Sequence, residues 1–188
     1  MKKLIIVSLV AAASAAFADL KIGTVDLLLL VRNHPNYESN KALVATTEKD
    51  YQKKLDGLKA ELNKLQEEGK KLGDQHENPM LAAAAKKKLE QDMIEIQRKF
   101  VAGQQKLRNE AMRSQQDLQD LEARLLKTTT GDLRKRVAKY AEAKGYDFIF
   151  DSNAAPFAKK SFDVSDEILK GMGVDPKEAK GKEKDEGK

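Results

Sequence analysis

Cysteine and tryptophan are absent from this 188-residue chain. Without thiols it can form neither a disulfide nor a thiolate metal site, so an oxidising compartment is neither exploited nor dangerous. Aromatic residues make up only 5% of the sequence while charged residues reach 35%. That balance describes a protein of long helices better than a compact globule. Apolar runs are short as well. The longest, Leu4 to Ala13, falls well below the ~20 residues a membrane-spanning helix needs. No metal-ligand spacing and no nucleic-acid motif is present, and Gly171-Met172-Gly173 lacks the preceding strand of a phosphate loop. The composition therefore gives no cofactor site and no catalytic set, and predicts a protein that is not an enzyme.

What is present begins with Lys2-Lys3, the apolar run and Ala16-Phe17-Ala18. A basic start, a short apolar stretch and a small-residue cleavage site in that order read as a secretory signal peptide over residues 1–18. The mature chain is then expected to start near Asp19 and to act in the periplasm. The absence of a lipobox cysteine argues against a lipid anchor. Losing Lys2 and Lys3 lowers the formal +5 to +3.

The charge is uneven. Residues 38–77 carry eight Lys against nine acids, whereas residues 78–145 carry fifteen Lys and Arg against nine. The basic character thus belongs to the second helical segment, which could meet an acidic polypeptide or anionic headgroups. Export argues against nucleic acid as a partner.

Periodicity supplies the fold class. In LKIGTVD, Leu20, Ile22 and Thr24 alternate with Lys21, Gly23 and Val25, as in a short strand. Asp26 can cap the apolar turn Leu27 to Val31, which His34-Pro35 ends. From Glu38 a coiled-coil stripe runs through Val44, Tyr51, Leu55, Leu58, Leu62, Leu65 and Leu72, weakened by Glu48 and Gly69 at seam positions. Asn78-Pro79 looks like a helix cap followed by Pro at the first helical position. A second stripe, Leu89, Met93, Ile96, Phe100, Gly103 and Leu107, slips in phase before Leu118, Leu121 and Leu125 resume it. Folding the chain back at residue 76 sets Leu62 on Leu89, Leu58 on Met93, Leu55 on Ile96 and Tyr51 on Phe100. The resulting antiparallel hairpin would be ~50 Å long at 1.5 Å per residue. Its glycines, Gly69, Gly73 and Gly103, read as points of flexibility.

Beyond the hairpin the helix continues to Gly145, with Thr128 to Gly131 suggesting a kink or brief break. YDFIFD then alternates as a strand, Pro156 to Phe162 could form a third, and Ser165-Asp166-Glu167 opens a last short helix. The tail from Asp175, with five lysines and five acids, reads as disordered. The expected organisation is a signal peptide (1–18), a β-containing oligomerisation body (19–37 and 116–174), a helical hairpin arm (38–115) and a charged tail (175–188). The class is α+β and mostly helical. Three short strands make a poor core alone, so the sheet is expected to be completed by other copies of the chain. Ile22, Val25, Phe148, Ile149 and Phe150 are the candidate body core and inter-subunit contacts.

Candidate chemistry is sparse. His34 and His76 read as solvated turn residues, and Asp26 and Asp151 as caps rather than an acid–base pair. Lys86-Lys87-Lys88 is either a solvated helix face or a basic surface near the hairpin tip. With Met80, Arg98, Lys99 and Lys106 it could contact an acidic client or lipid phosphates.

KIGTVDLLLLVRNHPNYESNKA (21–42) resembles the N-terminal strand and helix of the Skp/OmpH family of periplasmic chaperones. AKGYDFIFDSNAAPFA (143–158) with SFDVSDEIL (161–169) resembles that family's C-terminal strands and last helix. The resemblance implies a homotrimer with a small β-barrel body and three projecting coiled-coil arms around a cavity. It implies ATP-independent holding of unfolded outer-membrane proteins. A non-catalytic exported tether or scaffold, with or without lipopolysaccharide contact, is the alternative from another class.

Overall fold

The computed structural model describes the backbone of residues 20–186 and the side chains of residues 20–181; the expected signal peptide lies outside them. The chain divides into two compact units. One comprises the described residues through Pro35 and from Thr129 onward, the other Asn36–Thr128.

The first unit opens with strand β1, Ile22–Val25, and helix α1, Leu27–Arg32. Asp26 sits extended between them, and its Oδ1 accepts from the Leu29 N–H at 2.9 Å. That bond satisfies a backbone donor at the helix start that has no intrahelical partner. Strand β2, Phe148–Asp151, lies parallel to β1 in the register Ile22–Phe148, Gly23–Ile149, Thr24–Phe150 and Val25–Asp151. Parallel strands need a crossover connection, and here the two long helices lie between them in sequence. Helix α4, Ser165–Gly171, and helix α5, Pro176–Glu186, complete the unit. Its core gathers Val25, Leu29, Leu30, Leu133, Val164, Ile168, Leu169 and Ala179. Leu30, Leu133 and Leu169 are fully buried, each stabilising the fold by about 1.5–3 kcal/mol before entropy is counted.

The second unit is a helical pair. Helix α2 is Tyr37–His76, and helix α3, Ala83–Lys144, begins in this unit. Both expected stripes face inward: Leu58 and Leu62 are buried, while Tyr51, Leu55, Leu65, Leu89, Met93, Ile96 and Phe100 are half-buried. α3 ends where Gly145 takes φ +67, a left-handed conformation that costs a glycine little.

The pairing register differs from the expected one. A Cβ on Gly103 would meet Leu62, and one on Gly69 would meet Ile96. Lys54 pairs with Glu110 at 2.5 Å, and the Tyr51 hydroxyl donates to Asp117 at 3.4 Å. Leu62 therefore sits against Gly103 rather than Leu89, and Tyr51 reaches Asp117 rather than Phe100. The cause lies in the turn. Asn78 does not start a helix; its Oδ1 accepts from the Met80 N–H at 3.0 Å, a local turn. Pro79 to Ala82 thus join the connection, α3 starts at Ala83, and every partner on it moves towards the C-terminus.

Three further expectations are corrected. The third strand is absent among the described residues: Ser152–Ala154 and Lys160–Phe162 are 3-10 turns, and only Thr24 and Asp163 make an isolated bridge. Pro156, with no N–H to donate, sits poorly in a ladder. α3 runs unbroken through Thr128 to Gly131, where the Thr128 hydroxyl donates back to the Arg124 carbonyl at 2.9 Å. Pro176–Glu186 of the tail is helical as α5 rather than disordered. Asp175 Oδ1 accepts from the Lys177 N–H at 2.8 Å, Ala179 is buried, and Lys180 meets Asp166 at 2.7 Å. A cap, one small apolar contact and an ion pair seat a segment whose composition alone reads as unstructured.

Candidate functional site

Among the described residues the polar groups singled out in the sequence serve caps and ion pairs. Asp26 and Asp151 both act as caps, Asp151 Oδ1 accepting from the Asn153 N–H at 3.0 Å. No group of His, Asp or Glu among the described residues is placed to hold a metal, and no described helix is long and apolar enough to cross a membrane. His34 is a correction. It is buried, not solvated, with Nε2 3.1 Å from Asp132 Oδ2. Asp132 also accepts from Arg136 Nε at 2.6 Å. The Arg136 bond, followed by that to His34, holds the Asp132 carboxyl below its usual range. His76 is likewise engaged, its Nε2 3.2 Å from Glu90. Proline after His34 directs attention to the turn, but nothing local reveals that α3 supplies a carboxylate.

Two surfaces remain. The first is the outer face of the sheet. Alternation sends Val25 and Ile149 towards the core and leaves Ile22, Phe148 and Phe150 exposed. Phe148 and Phe150 stack with ring centres 5.9 Å apart. Beside them Leu20, Ile22, Phe150, Ala155, Phe157 and Phe162 line a recess of about 500 Å³, and Phe157 is 81% exposed. Contiguous exposed apolar surface of this kind is a feature that interaction sites share. Ile22, Phe148 and Phe150 are the expected body contacts, whereas Phe157 and Phe162 fall in the expected third strand. Their clustering depends on the turns that replace that strand.

The second surface is basic. Met80 is 90% exposed in the connection between α2 and α3. Lys87 and Lys88 are exposed and Lys86 is half-buried. Arg98 and Lys106 are exposed farther along α3. Lys99 is bound to Glu95 at 2.7 Å, and that bond raises its pKa. Its charge is thus already matched within one helix face. From Lys86 to Lys106 these residues spread over about 30 Å of helix at 1.5 Å per residue and around more than half of its circumference, so they are a dispersed set of basic side chains and not a single pocket.

A protein-family model described as outer membrane protein (OmpH-like) matches residues 21–172. No curated protein matches the chain significantly.

Proposed function

The chain belongs to the OmpH-like outer membrane protein family, and from that membership we propose that it is a periplasmic, ATP-independent holdase for unfolded outer-membrane proteins. The observation that carries this reading is the extent of the match: residues 21–172 take in β1, the whole α2–α3 pair, β2 and α4. The signal-like residues 1–18 and the absence of cysteine fit export.

In this reading the first unit is the oligomerisation body and Asn36–Thr128 is the arm. A two-stranded sheet with an apolar outer face is a weak structure alone. The exposed Leu20, Ile22, Phe148, Phe150 and Phe157 support its completion by other copies, three in this proposal. Client capture would combine the basic side chains of α3 with weak apolar contacts along the arms. Each contact is small; several arms acting together raise the effective affinity while leaving each contact reversible. Release then needs no nucleotide. Lys86, Lys87, Lys88 and the exposed Met80 also favour an accessory contact with anionic lipid or lipopolysaccharide. Flotation with anionic vesicles tests it, since such binding must fade as salt rises.

The central test is light scattering as a urea-unfolded outer-membrane barrel protein is diluted into buffer with the mature chain and no ATP. Suppressed aggregation that weakens with salt is the expected result. Aggregation unchanged at both low and high salt removes the holdase function and favours an exported tether.

A further inference from the structure

Every large apolar side chain that α3 leaves exposed lies on one side of the helix. These are Ile94, Val101, Met112 and Leu126, each more than half exposed. At about 3.6 residues per turn they fall within about 40° of one another, and they extend over about 48 Å at 1.5 Å per residue. Scattered exposed apolar residues are ordinary; alignment of all four is not. The inward stripe of Leu89, Met93, Ile96 and Phe100 is centred about 115° further round the helix, so this second stripe flanks the seam and stays open to solvent.

Its charge is one-sided. Lys87, Arg98 and Arg108 are exposed along the same stripe. Its one acid, Glu90, is engaged by His76 at 3.2 Å.

The spacing selects the occupant. A second helix packs through apolar contacts every three or four residues. Here the steps are seven, eleven and fourteen residues, far too sparse for a seam, which argues against α3 of another copy. A helix lying in a lipid surface presents a continuous apolar face, whereas this one is interrupted by glutamines and arginines. An extended chain repeats its apolar side chains every second residue, about 6.8 Å apart. Met112 and Leu126, about 27 and 48 Å from Ile94 at 1.5 Å per residue, fall close to four and seven of those repeats, and carboxylates between them can meet Arg98 and Arg108.

We infer that the Ile94, Val101, Met112 and Leu126 stripe of α3 is the client-facing surface of the arm, fitted to an extended, unfolded polypeptide carrying alternating apolar residues and acidic side chains. This rests on the holdase reading above and adds the face that meets the client.

The test uses the full mature protein with I94Q, V101Q and M112Q combined, and L43Q as a comparator, because Leu43 is also exposed but lies on α2. The probe is a urea-unfolded outer-membrane barrel polypeptide. The triple variant should keep its helicity and melting temperature and bind at least about tenfold more weakly, while L43Q binds as the wild type does. A photo-crosslinker at Gln105, on the stripe, should capture the polypeptide; one at Asn63 on α2 should not. Wild-type holding with unchanged affinity in the triple variant, or capture from Asn63 alone, overturns the assignment and leaves the holdase reading standing. A changed oligomer mass with intact client binding reassigns the stripe to contacts between copies and overturns it too. If the wild type holds no unfolded polypeptide, the holdase reading fails and this surface fails with it.

Discussion

Leu62 fills the space that a side chain at residue 103 would occupy: a Cβ on Gly103 would stand 2.8 Å from Leu62 Cδ2. The contact fixes the register of the α2–α3 pair. It also changes the meaning of Gly103, which is a packing glycine rather than a point of flexibility. Gly73, by contrast, has nothing within 4 Å of such a Cβ.

These two glycines should respond differently to alanine. Gly73→Ala should stabilise the pair by about 1 kcal/mol through helix propensity. Gly103→Ala gains the same propensity but must displace the buried Leu62 side chain, a cost of about 1–3 kcal/mol, so no net gain is expected. In a Leu62→Ala background the Gly103→Ala penalty should vanish. Thermal unfolding of the four variants decides it, and equal stabilisation by both glycine replacements would sink the proposed contact.

The cysteine-free background allows the register to be trapped directly. Leu62→Cys with Gly103→Cys should oxidise to an intrachain disulfide, whereas Leu62→Cys with Leu89→Cys should not, because bridging tolerates only a few ångströms of separation. Alkylation followed by mass measurement reads the outcome. Bridging of the second pair alone would mean that the chain turns back near residue 76 after all.

Acid should weaken the first unit. The Asp132 carboxyl is held below the usual carboxylate range by the bond from Arg136 and then that to His34. Its stabilising contribution is complete above about 3.8 and fades as pH falls through the lowered folded value. Asp132→Asn should flatten the melting temperature against pH between about 5 and 2 relative to the wild type. Because this group is exposed in part, the change is small. An unaltered acid limb in the variant would count against the arrangement.

Ala179→Glu should lower the melting temperature clearly, since burying a charge at a position 1% exposed costs about 2 kcal/mol or more. Lys180→Ala should matter much less. Its partner Asp166 is partly exposed, and such pairs contribute only about 0–1 kcal/mol. Calorimetry of both variants gives the comparison; equal behaviour would mean that α5 does not dock through Ala179.

Phe150→Ser combined with Phe157→Ser should reduce the mass of the assembly in sedimentation or multi-angle light scattering while preserving the helicity of the chain. Phe150 is half exposed on the sheet's outer face, and Phe157 stands largely exposed at the recess beside it. Retention of the full oligomer would move the subunit contact elsewhere.

The sequence by itself determined what depends on neighbours along the chain. The cap at Asp26, the strands at Ile22 and Phe148, the inward stripes of both long helices and the stop at Gly145 follow from spacing and residue type. So does the absence of thiol chemistry. Tertiary structure decided whatever depends on a distant partner. Asn78 could cap a helix or bend a turn, and choosing the turn moved Leu62 from Leu89 to Gly103. His34 needed Asp132, 98 residues away, to become a buried, bonded group. Ala179 could order a highly charged tail only because α1 and α4 leave a place for it. Periodicity says which face of a helix is apolar, but not which residue of another element will meet it, because that depends on turn geometry and on packing that no local pattern encodes.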